Sequence, residues 1–183
     1  MSFTTADVVK LRKVTGAGMM DCKGALADAD GNFERAIEII REKGKLVANK
    51  RADRDAAEGV VLAKVSEDKK FGAVVVLNCE TDFVAKNENF VAFANSILDA
   101  ALANNADSLE TVKSLNLNGR PIEAQVTEQT GVIGEKIELS YYKKISAETV
   151  VGYIHPGNKL ATLVGFNKAG IDVQVTKDVA MQI

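Results

Sequence analysis

Val60-Val61-Leu62-Ala63-Lys64-Val65, the polar break Ser66-Glu67-Asp68-Lys69-Lys70, and Gly72-Ala73-Val74-Val75-Val76-Leu77 decide the fold class of this chain. Two runs rich in β-branched residues on either side of a short polar segment predict a β-hairpin. Behind it, Phe90, Phe93, Ala94, Ile97, Leu98, Ala101 and Leu102 recur at i, i+3, i+4, i+7 and i+8. That spacing predicts an amphipathic helix over 88–103. A hairpin followed by a helix able to cover its apolar face is one packing unit of an α+β fold.

The same plan recurs further on. Ile137 to Ile145 and Val150 to Ile154 read as strands, Pro156-Gly157-Asn158 as a turn, and Leu160 to Phe166 as another strand. A helix then starts near Val173, with Val175, Val179 and Ile183 in register. The expected core thus has two subdomains of β-hairpins packed with helices, 55–140 and 141–183. Residues 104–136 between the two hairpin-helix patterns are polar at first, then weakly helical around Ile122 to Val132. Helices commonly finish on a Gly, a basic last turn or a nearby Pro, whereas this one stops at Met181-Gln182-Ile183 with its apolar face still running. The expectation is a second subdomain truncated inside that helix.

Ahead of the core, three short helices are predicted. The first spans residues 4 to 14, with Thr4 or Thr5 as N-cap and Val8 and Leu11 three apart, and ends at Gly16-Ala17-Gly18. In the second, Cys22, Ala25, Leu26 and Ala29 share a face, and Asp28-Ala29-Asp30-Gly31 stops it. The third begins behind Asn32, carries Phe33, Ala36, Ile37 and Ile40, and reaches Gly44 as a C′ residue. Lys43, Lys45, Lys50, Arg51 and Arg54 then alternate with Asp53 and Asp55, a pattern read as a solvated helical tail and linker. Residues 1–54 form the expected first domain.

Composition narrows the chemistry. With 183 residues, 46% hydrophobic and 26% charged, and a net charge of −2, the chain is globular rather than disordered. Apolar runs such as Ala73 to Leu77 fall far short of the roughly 20 residues that cross a bilayer. The start, Met1 to Asp7, has no basic segment followed by an apolar one, so the expected compartment is the cytoplasm. Two cysteines and one histidine cannot build a four-ligand zinc cage, and balanced charge without Trp leaves no evident nucleic-acid surface.

Four motifs carry alternatives. Gly16-Ala17-Gly18 lacks both a preceding strand and a third Gly, since Asp21 stands in its place, and no Gly-Lys-Ser/Thr occurs; the chain is not expected to hold a nucleotide by itself. Met19 and Met20 point about 100° apart on a helix, so either both fill a small core or one projects as an adaptable protein-binding knob. Cys79 with His155 admits a thiol hydrolase, against which no basic neighbour activates the thiol. In Glu80-Thr81-Asp82-Phe83-Val84-Ala85-Lys86, Thr81 or Asp82 caps a short turn, and Phe83 is either a core residue or, beside the Asp82 carboxylate, a wedge for a partner's pocket.

Taken together, Leu11-Arg12, Thr15-Gly16-Ala17-Gly18-Met19-Met20-Asp21-Cys22-Lys23, Asn78-Cys79-Glu80-Thr81-Asp82-Phe83-Val84-Ala85-Lys86 and Tyr153-Ile154-His155-Pro156-Gly157 resemble the bacterial elongation factor Ts family. The resemblance implies a ubiquitin-associated-like three-helix domain ahead of a two-subdomain core. It also implies a guanine-nucleotide exchange factor, not an enzyme, that promotes GDP release from elongation factor Tu during translation elongation. The partner is bound in its GDP-loaded and nucleotide-free forms, with no cofactor, no direct nucleic-acid contact and no membrane. Partner-binding residues carried over by the resemblance are Arg12, Met19 and Met20 on the partner's nucleotide-binding domain, Asp82 and Phe83 near its magnesium with Phe83 wedged between partner helices, Thr81 and Val84 beside them, and His155 at a second contact. Pro156 departs from the smaller residue often found at that place, and the family's continuation past residue 183 is not present. A different class, a passive adaptor binding through the three-helix domain alone, is the alternative.

Overall fold

The computed structural model describes residues 3–183. Three helices open the chain: α1 (Thr5–Thr15), α2 (Met19–Asp28) and α3 (Phe33–Lys50). Thr4 caps α1 in a capping box, its hydroxyl accepting from the Asp7 N–H at 3.3 Å while the Asp7 carboxylate accepts from the Thr4 N–H at 2.8 Å. Gly16, left-handed at φ 72°, ends the helix by donating to the Arg12 carbonyl. Asn32 caps α3 by accepting from the Arg35 N–H at 3.0 Å. Leu11, Cys22, Ala25, Leu26 and Ala36 are fully buried where the three helices meet, and Phe33 and Ile37 pack at the margin.

The third helix does not stop at Gly44. Lys45-Leu46-Val47-Ala48-Asn49-Lys50 holds no Pro and carries it one and a half turns further. Gly44 is buried because another helix crosses it, as described below.

The hairpin forms as predicted: β1 (Glu58–Val65) pairs antiparallel with β2 (Phe71–Cys79), Val60 opposite Leu77 and Leu62 opposite Val75. A one-turn helix α4 (Asp82–Ala85) leads into α5 (Glu88–Ala103). Next come α6 (Leu109–Ser114), a two-residue hairpin of β3 (Asn116–Leu117) and β4 (Arg120–Pro121), and α7 (Ile122–Ile133). β5 (Glu138–Ser146), β6 (Thr149–Ile154), β7 (Ala161–Phe166) and α8 (Val173–Gln182) complete the described chain.

The sheet order β1-β2-β5 corrects the sequence reading of 137–145 as part of a second hairpin unit. β5 runs antiparallel to β2 over its length, Val75 opposite Tyr142 and Leu77 opposite Leu139, so the boundary expected between 140 and 141 falls inside a strand. The cause is β2 itself: it carries apolar side chains on successive residues and has a second edge of backbone donors and acceptors for another strand to pair with. On the face made by Ala73, Val75, Leu77 and Cys79 lies α5, burying Phe90, Ala94, Ile97, Leu98 and Ala101. The β6–β7 hairpin covers the other face, where Leu163 and Val150 pack over Gly72. Beyond it α8 accepts a bond from the Thr162 hydroxyl at the Ala180 carbonyl, 2.6 Å.

The chain divides into two units: residues through Asp55 with Val126–Lys136, and Ala56–Gln125 with Ile137–Ile183. Inside the first, α7 crosses α3 at two glycines so close that a methyl added at Gly131 would sit 2.2 Å from the Gly44 Cα. Arg41 and Glu128 flank that crossing as an ion pair at 3.4 Å.

Candidate partner-binding site

The strand β2 ends in Cys79, which is buried and donates its thiol to the Thr81 carbonyl at 3.1 Å. A thiol so enclosed is not presented to a substrate, and the histidine suggested as its partner is engaged elsewhere. His155 is exposed, its Nδ1 2.9 Å from the Tyr153 hydroxyl with the two rings edge to face. Among the described residues no group of three or more His, Cys, Asp or Glu is placed to hold a metal ion. No helix of the described chain is long and apolar enough to cross a membrane.

From Cys79 the chain turns outward through two caps in succession. Thr81, in extended conformation, accepts from the Val84 N–H and starts α4; Asn87 accepts from the N–H groups of Asn89 and Phe90 and starts α5. Between them only one helical turn fits. Ala85 is its buried side, at 4%, and Phe83 its outer side, 83% exposed. Of the two readings left open, the cap belongs to Thr81 and the ring lies outside the core. Val84 is half-buried beneath it.

Asp82 precedes that ring and is bound by Lys86, one turn on, at 2.6 Å. The hydrogen bond from Lys86, then its charge, hold the Asp82 carboxyl below the usual carboxylate range, and the Lys159 charge adds to this. Reciprocally, the Asp82 bond and charge raise the Lys86 ammonium, with a contribution from Glu58. Glu58, at the start of β1, is itself ion-paired with Lys159 in the β6–β7 turn. That turn is fastened to β1 by the Val61 N–H donating to the Asn158 carbonyl at 2.8 Å. Thus the strand tip and the turn that follows His155 meet within one unit.

In the other unit, Arg12 lies exposed in the last turn of α1, and Met19 and Met20 begin α2. Met20 is 77% exposed and Met19 37%, so neither methionine is in the core. Gly18 caps α2 without any side-chain hydrogen bond. Sequence reasoning missed Lys86, although Asp82 and Lys86 stand at the i,i+4 spacing of helical ion pairs. It also missed Glu58 and Lys159, which are 101 residues apart and carry no local signal.

Fold and projections together define a class: an α+β protein that holds apolar side chains in solvent at the starts of α2 and α4, the latter beside a charged cluster. Within that class the chain belongs to the elongation factor Ts family, whose model, described as Elongation factor TS, matches residues 80–183. It is similar to Elongation factor Ts of Azobacteroides pseudotrichonymphae genomovar. CFP2, 49% identical over 183 residues that make up 100% of this chain and 66% of the relative. It is also similar to Elongation factor Ts of Bacteroides fragilis strain YCH46, 52% identical over 184 residues, 100% of this chain and 55% of the relative. Elongation factor Ts of Porphyromonas gingivalis strain ATCC BAA-308 / W83 is 51% identical over 185 residues, again 100% of this chain and 66% of the relative. The chain therefore spans 55% to 66% of the length of these relatives.

Proposed function

We propose that this chain engages elongation factor Tu and promotes GDP release from it, the guanine-nucleotide exchange step of translation elongation, in the cytoplasm. The observation that carries the reading is Phe83, 83% exposed at the end of a buried strand with the Asp82 carboxylate beside it. An exposed aromatic on a short rigid support is costly to leave in water and suits insertion into an apolar pocket of a partner. A carboxylate carried in with it would compete for the divalent cation at a phosphate site. Arg12, Met19 and Met20 then supply a second contact through a three-helix domain of ubiquitin-associated-like type, and Thr81, Val84 and His155 support or flank the first.

No bond is made or broken by this protein. Nucleotide and exchange factor are linked reciprocally: whatever the factor takes from nucleotide affinity, bound nucleotide takes from the factor's affinity. Turning a mostly closed site into a mostly open one needs about 5.5 kcal/mol of differential binding, within reach of an aromatic anchor plus a second surface.

The test is stopped-flow release of a fluorescent GDP analogue from elongation factor Tu with and without the 183-residue chain. Acceleration that is reduced by Asp82→Ala is expected. Binding with no change in release rate would leave the passive adaptor.

A further inference from the structure

Nothing so far explains what keeps a four-residue helix in one shape at the tip of a strand. One turn is below the length at which a helix holds itself, because nucleation fixes several residues for a single hydrogen bond. The Thr81 cap is long, its hydroxyl 3.5 Å from the Val84 N–H. The Asp82–Lys86 bond spans the same turn at 2.6 Å and closes it a second time. Around it stand four alternating charges in two ion pairs, Asp82–Lys86 and Glu58–Lys159, and between the pairs only charge acts at a distance, Lys159 on Asp82 and Glu58 on Lys86. These four residues come from α4 and the position just behind it, from the first position of β1, and from the turn after β6.

We propose that Lys86 and Lys159 are positioning residues for the Asp82 carboxylate, closing a four-charge ring that aims it beside Phe83 and couples the His155 turn to the wedge. The inference rests on the exchange reading above and assigns that site two residues beyond the ones already placed there. Each side chain of the ring is between 39% and 72% exposed, so no single pair adds much to the stability of the fold. What the ring does supply is direction: a carboxylate bonded to one cation and drawn by the charge of a second has fewer orientations left, and one misaimed by an ångström loses effect out of proportion to the energy involved. Because exposed charges are screened over about 10 Å at 0.1 M salt, the coupling should weaken as ionic strength rises.

Two measurements separate failure of the ring from failure of the exchange reading. In the first, the full chain is titrated against elongation factor Tu loaded with fluorescent GDP, so that the maximal release rate and the half-saturating concentration are read separately. Lys86→Met is expected to lower the maximal rate about fivefold while half-saturation moves by less than about twofold; Lys159→Met has a smaller effect of the same kind, and Lys86→Arg restores the rate. An unchanged Lys86→Met beside an impaired Phe83→Ala overturns the ring and leaves the exchange reading standing. Equal loss in Lys86→Arg and Lys86→Met also overturns it, since positioning by charge would tolerate arginine. If the wild-type chain accelerates nothing, the exchange reading fails by itself. The second measurement needs no partner: an NMR titration of the Asp82 carboxyl in the free chain. Its value is expected below the ordinary one and to move up toward it in Lys86→Met and in Lys159→Met; no movement in either variant removes the ring.

Discussion

The starts of α2 and α4 each carry exposed apolar side chains behind a β-region N-cap, yet they are built to opposite ends. At α2 the cap is Gly18, which offers no side chain, and the residues it releases are methionines, each with three rotatable bonds. At α4 the cap is Thr81, the projecting residue is a two-torsion aromatic, and the turn is tied by Lys86 and rests on the buried Cys79 and Ala85. The difference teaches that exposure alone does not describe a contact surface. A flexible pair can adapt to a partner helix at some cost in ordering, whereas a fixed ring delivers its full area to one pocket.

The largest effect should come from testing the two starts against each other. Phe83→Ala is expected to cut the stimulated GDP release about 100-fold, the range of a central aromatic anchor, while Met20→Ala cuts it about fivefold. Comparable losses in stopped-flow release for the two variants would erase the distinction between fixed and adaptable contact. Phe83→Leu and Met20→Leu extend the comparison, since leucine should rescue the methionine site and not the ring.

The support behind the adaptable start can be broken separately. At Gly131 an added methyl meets the Gly44 backbone at 2.2 Å, where nothing can rotate away, and a loss of about 3 kcal/mol is expected for Gly131→Ala. The converse change, Gly44→Ala, finds its nearest neighbour at 3.6 Å and replaces a mid-helix glycine. It should be neutral or gain up to about 1 kcal/mol from helix propensity. Thermal and urea melts of the two variants decide this, and equal effects would mean that the α3–α7 crossing is not as tight as described.

The frame behind the fixed start has a buried fastening of its own. Tyr142 on β5 donates its hydroxyl to the Ala106 carbonyl at 2.7 Å, and both residues are buried. Burial, then the Asp107 charge, push the phenol above its ordinary value of 10.0. A raised folded-state value means that the protonated form is the one the fold prefers. The contribution is fully present below pH 10 and is lost as pH rises through the folded value. Tyr142→Phe should cost about 1 kcal/mol at neutral pH, through the unpaired carbonyl. It should also flatten the alkaline limb of the stability profile; a wild-type limb that persists in the variant would assign it to other groups.

How far these features could be read in advance follows from how local their causes are. The β1–β2 hairpin, α5 and the cap Asn32 are written in runs of a few residues, and the caps at Thr4 and Thr81 to within one neighbour, because alternation, helical spacing and side-chain capping all act over one or two turns. Gly44 misleads because a glycine after an apolar stripe looks like a helix end, while its structural reason stands 87 positions away at Gly131. β5 belongs with β1 and β2 rather than with β6 and β7 because pairing is decided by the free edge of β2, which no property of Glu138–Ser146 announces. At the site, Asp82 and Phe83 were legible as a carboxylate beside an aromatic. Whether Phe83 faced the core was not legible, since that depends on there being room for only one turn between two caps. Lys159 and Glu58 become neighbours only once the β6–β7 turn has bonded to Val61.

The finest test of the comparison alters the cap itself. Gly18 has φ −60° and ψ 151°, a conformation open to any residue, so its lack of a side-chain bond is a matter of composition and not of backbone need. A methyl there would approach only the Asp21 carboxylate, which can rotate away. Gly18→Ser therefore fits without strain and adds a hydroxyl able to accept from the first turn of α2, a gain of a few tenths of a kcal/mol in stability. If the methionine start works by adapting, fixing its first turn should leave GDP release unchanged or slightly lower it even as the melting temperature rises. A rise in both would show instead that this start, like Phe83, profits from being held still, and that the two regions differ in strength rather than in kind.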